Sequence, residues 1–350
     1  MVEIIAEVGT TNEGSIDKAI EAVYAFADAG ATGVKFQWLQ PESLVVPFAE
    51  RYWSTNSAES QQGAFERAGM IAYENWGQVF VACSSAGVEF ITTPFDLEAV
   101  KVWSAMAGLH KGLRTLKVAS GDITNFMLLD AVGEAADRVI LSTGGATISE
   151  VRAAQHLLMF SNPTPPHFGV SAGTARCEVV LLACSLEYPT PPERANLGRI
   201  RTLLGHASVV GYSDHLLSEY SSEDAVFVGA TVLEKHVTLG GDPDKVADHA
   251  MALTPDRFAT YVRLAHRAER MLGDGVMGVH EGEHAAVQGA RRGLYAAANI
   301  KEGEMFTTEN VVALRPAAAT GKADASQWLT LAGTAATCDY RQTDPIVRSP

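Results

Sequence analysis

The sequence predicts a (β/α)₈ barrel, the TIM-barrel fold, followed by a small C-terminal domain. Over the first three quarters of the chain, eight short apolar runs alternate with longer amphipathic stretches. The runs are almost continuously apolar, as parallel strands buried on both faces should be. Near residues 273–289 glycine and histidine accumulate and the alternation stops. A doubly wound α/β sheet is the alternative fold for such alternation.

The apolar runs define the predicted strands. In chain order they cover residues 3–8, 33–37, 89–93, 116–119, 139–142, 179–183, 209–212 and 232–236. Helical patterns separate them. The first helix is expected at 16–29, with Ser15 as its N-cap and Gly30 ending it. The last is expected at 255–272, with Pro255 at its first position.

The change of character after the eighth strand predicts a domain boundary. We expect residues 1–280 to form the barrel and residues 281–350 to form a linker and the small domain. The second segment is small for a core of its own, so we expect it to pack against another surface.

Composition excludes several classes of protein. The net charge of −14 argues against a nucleic-acid partner, which requires a basic face. No apolar run is long enough to span a bilayer, and the first residues read as a strand rather than a signal peptide. The four cysteines form no CxxC pair. Together these features predict a cytoplasmic globular protein with free thiols.

Two histidines follow consecutive predicted strands. His215 ends Gly211-Tyr212-Ser213-Asp214-His215 and His236 ends the eighth strand, with a helical stretch at 219–228 between them. The carboxyl ends of neighbouring barrel strands lie side by side, so two imidazoles there could hold one metal ion. Buried core histidines are the alternative. Glu234 shares the face of His236 and could be a third ligand or could orient a ligand. Mn²⁺, Fe²⁺, Co²⁺ and Zn²⁺ all suit such a site, and His249 could also face it.

Lys35 and Lys117 also lie at strand ends. Lysine is rarely buried unless paired, so two inward lysines suggest an anionic ligand. The alternative is that each pairs with a nearby carboxylate such as Glu7 or Asp122. Hydroxyl groups at neighbouring strand ends suit phosphate or carboxylate oxygens. They belong to Ser120, Ser142 and Ser213.

Glu13 lies in the first predicted βα loop, just before Gly14. It could be an exposed loop carboxylate beside a helix N-terminus. It could instead be an acid/base or substrate-orienting group.

These strand-end residues, in this order, resemble the sialic acid synthase family over almost the whole chain. The motifs include Asn12-Glu13-Gly14-Ser15, Val34-Lys35-Phe36-Gln37, Tyr188-Pro189-Thr190-Pro191, Gly211 to His215 and Glu234-Lys235-His236. The tail, through Arg315-Pro316, resembles the antifreeze-like SAF domain that ends these enzymes. The resemblance implies condensation of phosphoenolpyruvate (PEP) with an N-acylated amino sugar aldehyde, typically N-acetylmannosamine, with release of phosphate.

The resemblance also implies roles for individual residues. His215 and His236 would bind the metal, with Mn²⁺ favoured and Mg²⁺ or Co²⁺ as alternatives. Glu13, Gln37, Tyr188 and Asp248 would hold the sugar or help proton movement, and Glu234 would stand beside them in the catalytic group. Arg315 would reach the sugar in a second protomer, which implies a domain-swapped homodimer. PEP would be held by Lys35, Thr93, Lys117, Ser120, Ser142 and Ser213.

Departures from the family pattern keep other functions open. Leu186 stands where the family usually has Asn, Asp122 where it has Glu, and Lys245-Val246-Ala247 where it has Pro-Gly-Pro. A legionaminate- or pseudaminate-type synthase is therefore an alternative. A catalytically weakened homologue that only binds PEP or sugar is another. An ice- or carbohydrate-binding role for the tail alone is disfavoured, because the tail shows no flat, Thr-rich surface.

Overall fold

The chain folds into two compact units, Met1–Gly273 and Asp274–Pro350. The structure is a computed structural model, and it describes residues 1–53, 59–160, 175–316 and 322–347. Along the chain, the boundary between the units falls between Gly273 and Asp274. The sequence predicts it a few residues later, between residues 280 and 281.

The first unit is a closed barrel of eight strands, each parallel to its neighbours. This confirms the predicted (β/α)₈ fold and excludes the open doubly wound sheet. The strands are β1 (Glu3–Gly9), β2 (Gly33–Trp38), β3 (Glu89–Pro94), β4 (Thr115–Val118), β5 (Arg138–Ser142), β6 (Glu178–Cys184), β7 (Val210–Asp214) and β8 (Val232–His236).

Helices follow the strands along the chain. They are α1 (Ile16–Asp28), α2 (Pro41–Leu44), α3 (Gln61–Ala68), α4 (Trp76–Ala86), α5 (Leu97–Leu109), α6 (Phe126–Ala135), α7 (Ile148–Met159), α8 (Gly198–Leu204), α9 (Ser221–Val228) and α10 (Pro255–Leu272). Ser15 caps α1 by accepting from the N–H of Lys18, as predicted. Gly30 ends that helix with φ +97°, a left-handed value that favours glycine.

The barrel interior changes from apolar to polar toward the carboxyl ends of the strands. Six buried aliphatic side chains fill its lower layer, and they belong to Ile5, Ile91, Ile140, Val180, Leu182 and Val232. Side chains on one strand face repeat every second residue. The inward residue that follows Ile5 is therefore Glu7, the one after Ile91 is Thr93, and the one after Ile140 is Ser142. The same step leads from Leu182 to Cys184 and from Val232 to Glu234. A second, larger apolar core lies between the strands and the helices.

Strands β7 and β8 approach each other closely at Gly211. A Cβ atom on this residue would lie 2.0 Å from the carbonyl oxygen of Val232. Only glycine fits this position, which sets the spacing of the two strands that lead to the histidines.

The second unit has its own small core. It contains α11 (His284–Ala290), an antiparallel pair of β9 (Gly293–Ala296) and β10 (Val311–Leu314), and α12 (Trp328–Leu331). Buried side chains from its strands and turns pack together, among them Leu294, Ile300, Phe306, Tyr340 and Ile346. Its assignment as an SAF domain stays a prediction.

Across both units, none of the described helices has the length and apolar character needed to cross a membrane.

Candidate active site

The register of β7 and β8 brings the two histidines together. Ser213 lies beside Glu234 and Asp214 beside Lys235, so His215 comes level with His236. Their ring centroids are 5.4 Å apart, and both side chains are buried at the carboxyl ends of the strands. The predicted proximity of the two imidazoles is therefore observed.

His215 is held in one orientation by its neighbours. Its Nδ1 lies 2.6 Å from the carbonyl oxygen of Ser185, which only an Nδ1–H donor can satisfy. This bond leaves Nε2 as the free acceptor nitrogen. The Tyr188 ring packs against the imidazole at 4.1 Å between centroids. Burial lowers the pKa of His215 to about 4, so the ring is neutral at pH 7.

His236 lacks such a restraint. Its buried Nδ1 has no hydrogen-bond partner among the residues that the structure describes, and it lies 3.8 Å from Asp248 Oδ2. Burial lowers its pKa as well. An unsatisfied buried nitrogen is costly unless something binds it. Two neutral imidazoles, one with a free Nε2 and one with an unpartnered nitrogen, fit a divalent metal ion.

The protein ligands for such an ion are few. Within the described parts of the chain, no group of three or more His, Cys, Asp or Glu residues is arranged to hold a metal. Glu234, considered from sequence as a third ligand, instead accepts from Ser213 Oγ at 3.0 Å and lies between two lysines. Water or substrate oxygens would have to complete the coordination of any ion held by the histidines.

The two predicted lysines both point into the barrel mouth and are buried. Lys35 Nζ lies 2.8 Å from Glu7 Oε2, 3.1 Å from Thr93 Oγ1 and 3.7 Å from Glu234 Oε1. Lys117 Nζ lies 3.8 Å from Glu234 Oε2. Pairing with a carboxylate is therefore observed for both lysines. Of the two carboxylates suggested, Glu7 pairs with Lys35, whereas the carboxylate that pairs with Lys117 is Glu234, from across the barrel.

These contacts shift the pKa values in opposite directions. Burial works against charge on Lys35, but Glu234 and Glu7 outweigh it and raise the pKa of this lysine. Burial dominates at Lys117 and lowers its pKa. Burial would raise the pKa of Glu234, but Lys117 and Lys35 overcome this effect and lower it. Two buried lysines, Lys35 and Lys117, thus face two buried acidic side chains, Glu7 and Glu234, at the barrel mouth.

The predicted hydroxyls surround this group. Ser120 Oγ accepts from the backbone N–H of Gly144 at 2.9 Å. Ser142 Oγ is buried and has no hydrogen-bond partner in the described structure. Cys184 is an additional residue that the sequence reasoning missed. Its buried Sγ lies 3.9 Å from His215 Nδ1, and its place two residues after Leu182 was the available signal.

A second polar group joins the β1 and β8 loops. Thr10 Oγ1 donates to Asp248 Oδ2 at 2.9 Å, and Gln37 Nε2 donates to Glu7 Oε1 at 2.9 Å. A Cβ on Gly9 would meet both Asp248 and Gln37, so these side chains converge at that glycine.

Glu13 lies in a cluster of its own. It forms ion pairs with Lys245 and, at 2.9 Å, with Lys18, and its Oε1 lies 3.5 Å from His249 Nε2. Lys245 and Lys18 lower the pKa of Glu13 to about 2, so the carboxylate stays ionised. His249 also bonds Thr238 Oγ1 through Nδ1 at 2.7 Å. The described contacts of Glu13 therefore fix the two loops to each other.

Comparison with known proteins identifies the chain. The model of the NeuB family matches residues 16–277. The chain belongs to the NeuB family. The predicted kinship with sialic acid synthases is confirmed, and the protein is a synthase of this type.

Individual relatives of this NeuB-family chain cover nearly its whole length. An N,N'-diacetyllegionaminic acid synthase of Campylobacter jejuni is 29% identical over 99% of this chain and 98% of its own. A Chromobacterium violaceum spore coat polysaccharide biosynthesis protein E has a similar structure, with TM-score 0.79, 25% identity and coverage of 99% and 98%. An N-acetylneuraminic acid synthetase of Leptospira borgpetersenii, solved with citrate, gives TM-score 0.68 and 26% identity over 82% of this chain and 90% of that one.

Two features of this NeuB-family chain lie outside the buried group. Leu186 is 38% exposed and covers Gly144 and Gly145, where a Cβ on Gly145 would come 2.8 Å from its Cδ1. Arg315, predicted to contact the sugar of a second protomer, is exposed on the C-terminal unit.

Proposed function

We propose that this synthase condenses PEP with an N-acylated amino sugar aldehyde, forms a nonulosonic acid and releases phosphate, with the assistance of a divalent metal. The observation that carries the assignment of the site is the pair of buried lysines, Lys35 and Lys117, facing one mouth beside two neutral imidazoles. Lysine is rarely buried unless it is paired, and among the described residues Lys117 Nζ has no carboxylate nearer than Glu234, at 3.8 Å.

Lys35 and Lys117 would bind the carboxylate and phosphate of PEP. In the free protein, Glu7 and Glu234 hold both lysines in place, so their charge is positioned before the anion arrives. Thr93, Ser120, Ser142 and Ser213 would donate to the remaining oxygens. The unpartnered Ser142 Oγ supports this role, because its donor capacity is unused by the described protein groups.

His215 and His236 would hold the divalent ion, with Mn²⁺ favoured and Mg²⁺ or Co²⁺ as alternatives. When bound, such an ion supplies Lewis acidity to the aldehyde oxygen of the sugar. The protein contributes by keeping both rings neutral through burial and by fixing the His215 tautomer through Ser185.

The bond changes follow from the two substrates. C3 of PEP forms a bond to the aldehyde carbon, and the aldehyde oxygen takes up a proton. Positive charge develops at C2, and water adds there and loses one proton. The C2–O bond to phosphate then breaks, the new hydroxyl group becomes the keto oxygen, and its proton goes to the departing phosphate. The lysines fix the reacting carbon of PEP at the distance that attack requires.

The sugar would lie on the Asp248 side of the histidines. Gln37, Tyr188 and Asp248 present an amide, a phenol and a carboxylate there, and Glu234 or Glu13 would assist proton movement. Arg315 would contact the N-acyl group in the site of a second protomer of a domain-swapped homodimer. The cytoplasmic location stays a prediction.

The acceptor sugar is best tested as a panel. N-acetylmannosamine and the acceptors that lead to legionaminic and pseudaminic acids would each be incubated with PEP and Mn²⁺. We expect phosphate release to require one acceptor and to stop when a chelator removes the metal. If the folded protein binds PEP in calorimetry but none of the acceptors leads to phosphate release, the chain is a binding homologue. The region around Leu186 is then the first place to examine.

A further inference from the structure

A buried ion pair lies directly behind the two histidines, on the opposite face of the same strands. Lys235 Nζ is 3.1 Å from Asp214 Oδ2, and both side chains are 0% exposed. Each member immediately precedes one of the histidines in the chain, and the two are register neighbours across β7 and β8. Their side chains face the helices rather than the substrates.

Both members of the pair form hydrogen bonds with the backbone of Leu216, the residue after His215. Asp214 Oδ1 accepts from the N–H of Leu216 at 2.9 Å, and Lys235 Nζ donates to the carbonyl oxygen of the same residue. Both polar groups of the residue after His215 are therefore bound to the pair. Ser221 Oγ donates to Asp214 Oδ2 at 2.5 Å, and the Tyr261 ring lies 5.7 Å from Lys235 Nζ.

A buried ion pair of this kind is a weak source of stability. Removing two charges from water is expensive, and well-packed apolar residues often serve equally well. In some proteins a buried ion pair serves to specify one arrangement of the backbone rather than to add stability. Here the pair would specify the strand register that places His215 beside His236.

The Asp214–Lys235 pair matters more for the position of His236 than for that of His215. The His215 ring is fixed by Ser185, whereas His236 Nδ1 has no hydrogen-bond partner in the described structure and lies 3.8 Å from Asp248 Oδ2. The backbone therefore has a larger part in positioning His236, and Lys235, the preceding residue, connects that backbone to the carbonyl group of Leu216.

We propose that Asp214 and Lys235 are positioning residues that hold His215 and His236 at the separation a divalent ion requires. This inference rests on the proposed metal role of the two histidines. It predicts that breaking the pair weakens metal binding more than PEP binding, because Lys35 on β2 and Lys117 on β4, which would hold PEP, lie on other strands.

The test compares two matched double variants. Asp214→Asn/Lys235→Met removes the buried pair but keeps a side chain that can accept from Leu216 N–H. Glu3→Gln/Arg138→Met removes a two-bond ion pair, with contacts of 2.9 and 2.6 Å, from the amino ends of the strands of the same barrel. Near-ultraviolet circular dichroism establishes that each variant is folded.

The main measurement is the Mn²⁺ dissociation constant, obtained from the electron paramagnetic resonance signal of free Mn²⁺. We expect the Asp214/Lys235 variant to bind Mn²⁺ about 10-fold or more weakly, as loss of supporting contacts behind metal ligands usually does. The Glu3/Arg138 variant should stay within about twofold of the unmodified protein, since distant sites seldom couple. Calorimetry without metal should show a smaller loss of PEP affinity than of Mn²⁺ affinity in the Asp214/Lys235 variant, and a PEP affinity unchanged to about twofold in the Glu3/Arg138 variant. The single variant Asp214→Asn, which preserves the side-chain volume, should also bind Mn²⁺ more weakly than the unmodified protein.

Unchanged Mn²⁺ affinity in both Asp214 variants would overturn the positioning role while leaving the proposed function intact. Equal losses of Mn²⁺ and PEP affinity would also overturn it, because they indicate general loosening. If the unmodified protein binds no Mn²⁺, the metal assignment itself fails, and the positioning role fails with it.

Discussion

Glu7 Oε2 lies 2.8 Å from Lys35 Nζ, and both side chains are almost completely buried at the barrel mouth. This pair places a cation in the site before any substrate binds. Replacing Glu7 by Gln should leave Lys35 with only the more distant Glu234 and reduce the free energy of unfolding by about 3 kcal/mol. Urea unfolding monitored by fluorescence measures this loss.

The same variant provides an internal check on the anion site. PEP supplies negative charge near Lys35, so it should raise the melting temperature of Glu7→Gln by more than that of the unmodified protein. An equal shift in both proteins would mean that PEP does not compensate the charge of Lys35.

Lys117 should contribute directly to PEP binding. Lys117→Met removes a charged donor, and a hydrogen bond to a charged group contributes enough to weaken binding by about 10- to 100-fold. The KM for PEP measures this effect. Lys101, which is 74% exposed and pairs with Glu98, provides the matched control Lys101→Met. If the two variants show the same KM, Lys117 is not part of the PEP site.

Glu13 should stabilise the protein in a pH-dependent way. Lys245 and Lys18 lower its folded pKa from 4.5 to about 2, so its contribution is complete above pH 4.5 and is lost as the pH falls toward 2. Glu13→Gln should therefore be about 1 kcal/mol less stable at pH 7, a value discounted for the exposure of both lysines. The difference from the unmodified protein should shrink steadily in urea titrations between pH 5 and 3. A constant difference over this range would show that the ionised carboxylate is not the cause.

Gly211 should be intolerant of any side chain. Gly211→Ala would place a Cβ against the carbonyl oxygen of Val232, so we expect a loss of about 1–3 kcal/mol in unfolding free energy. Gly77 lies in α4 with no atom within 4 Å of an added Cβ, and Gly77→Ala should be neutral or stabilising. Thermal unfolding of the two variants compares them directly. Similar melting temperatures would contradict the close β7–β8 approach.

The strands and the mouth residues could be predicted from sequence because each depends on local pattern. A short, continuously apolar run such as 179–183 is typical of a strand that is buried on both faces. The polar residue that ends each run then falls at one edge of the barrel by topology alone. This reasoning placed Lys35, Lys117, His215 and His236 correctly.

Side-chain partners could not be predicted in the same way, because they depend on distances across the barrel. Glu234 was considered with His236, its neighbour along β8, but it reaches between Lys35 and Lys117 instead. Glu13 and Lys245 are far apart in sequence, and only the closure of β1 against β8 brings their loops together. The pairing of Asp214 with Lys235 likewise required the register of two strands.

The most direct measurement of the central claim follows the bridging oxygen of PEP. PEP labelled with ¹⁸O between C2 and phosphorus would be incubated with Mn²⁺ and the acceptor that supports turnover, and both products would be analysed by mass spectrometry. The account predicts one phosphate for each new nonulosonic acid, with the label in the phosphate because the C2–O bond breaks. Label retained in the organic product, or phosphate formed without a new acid, would contradict it.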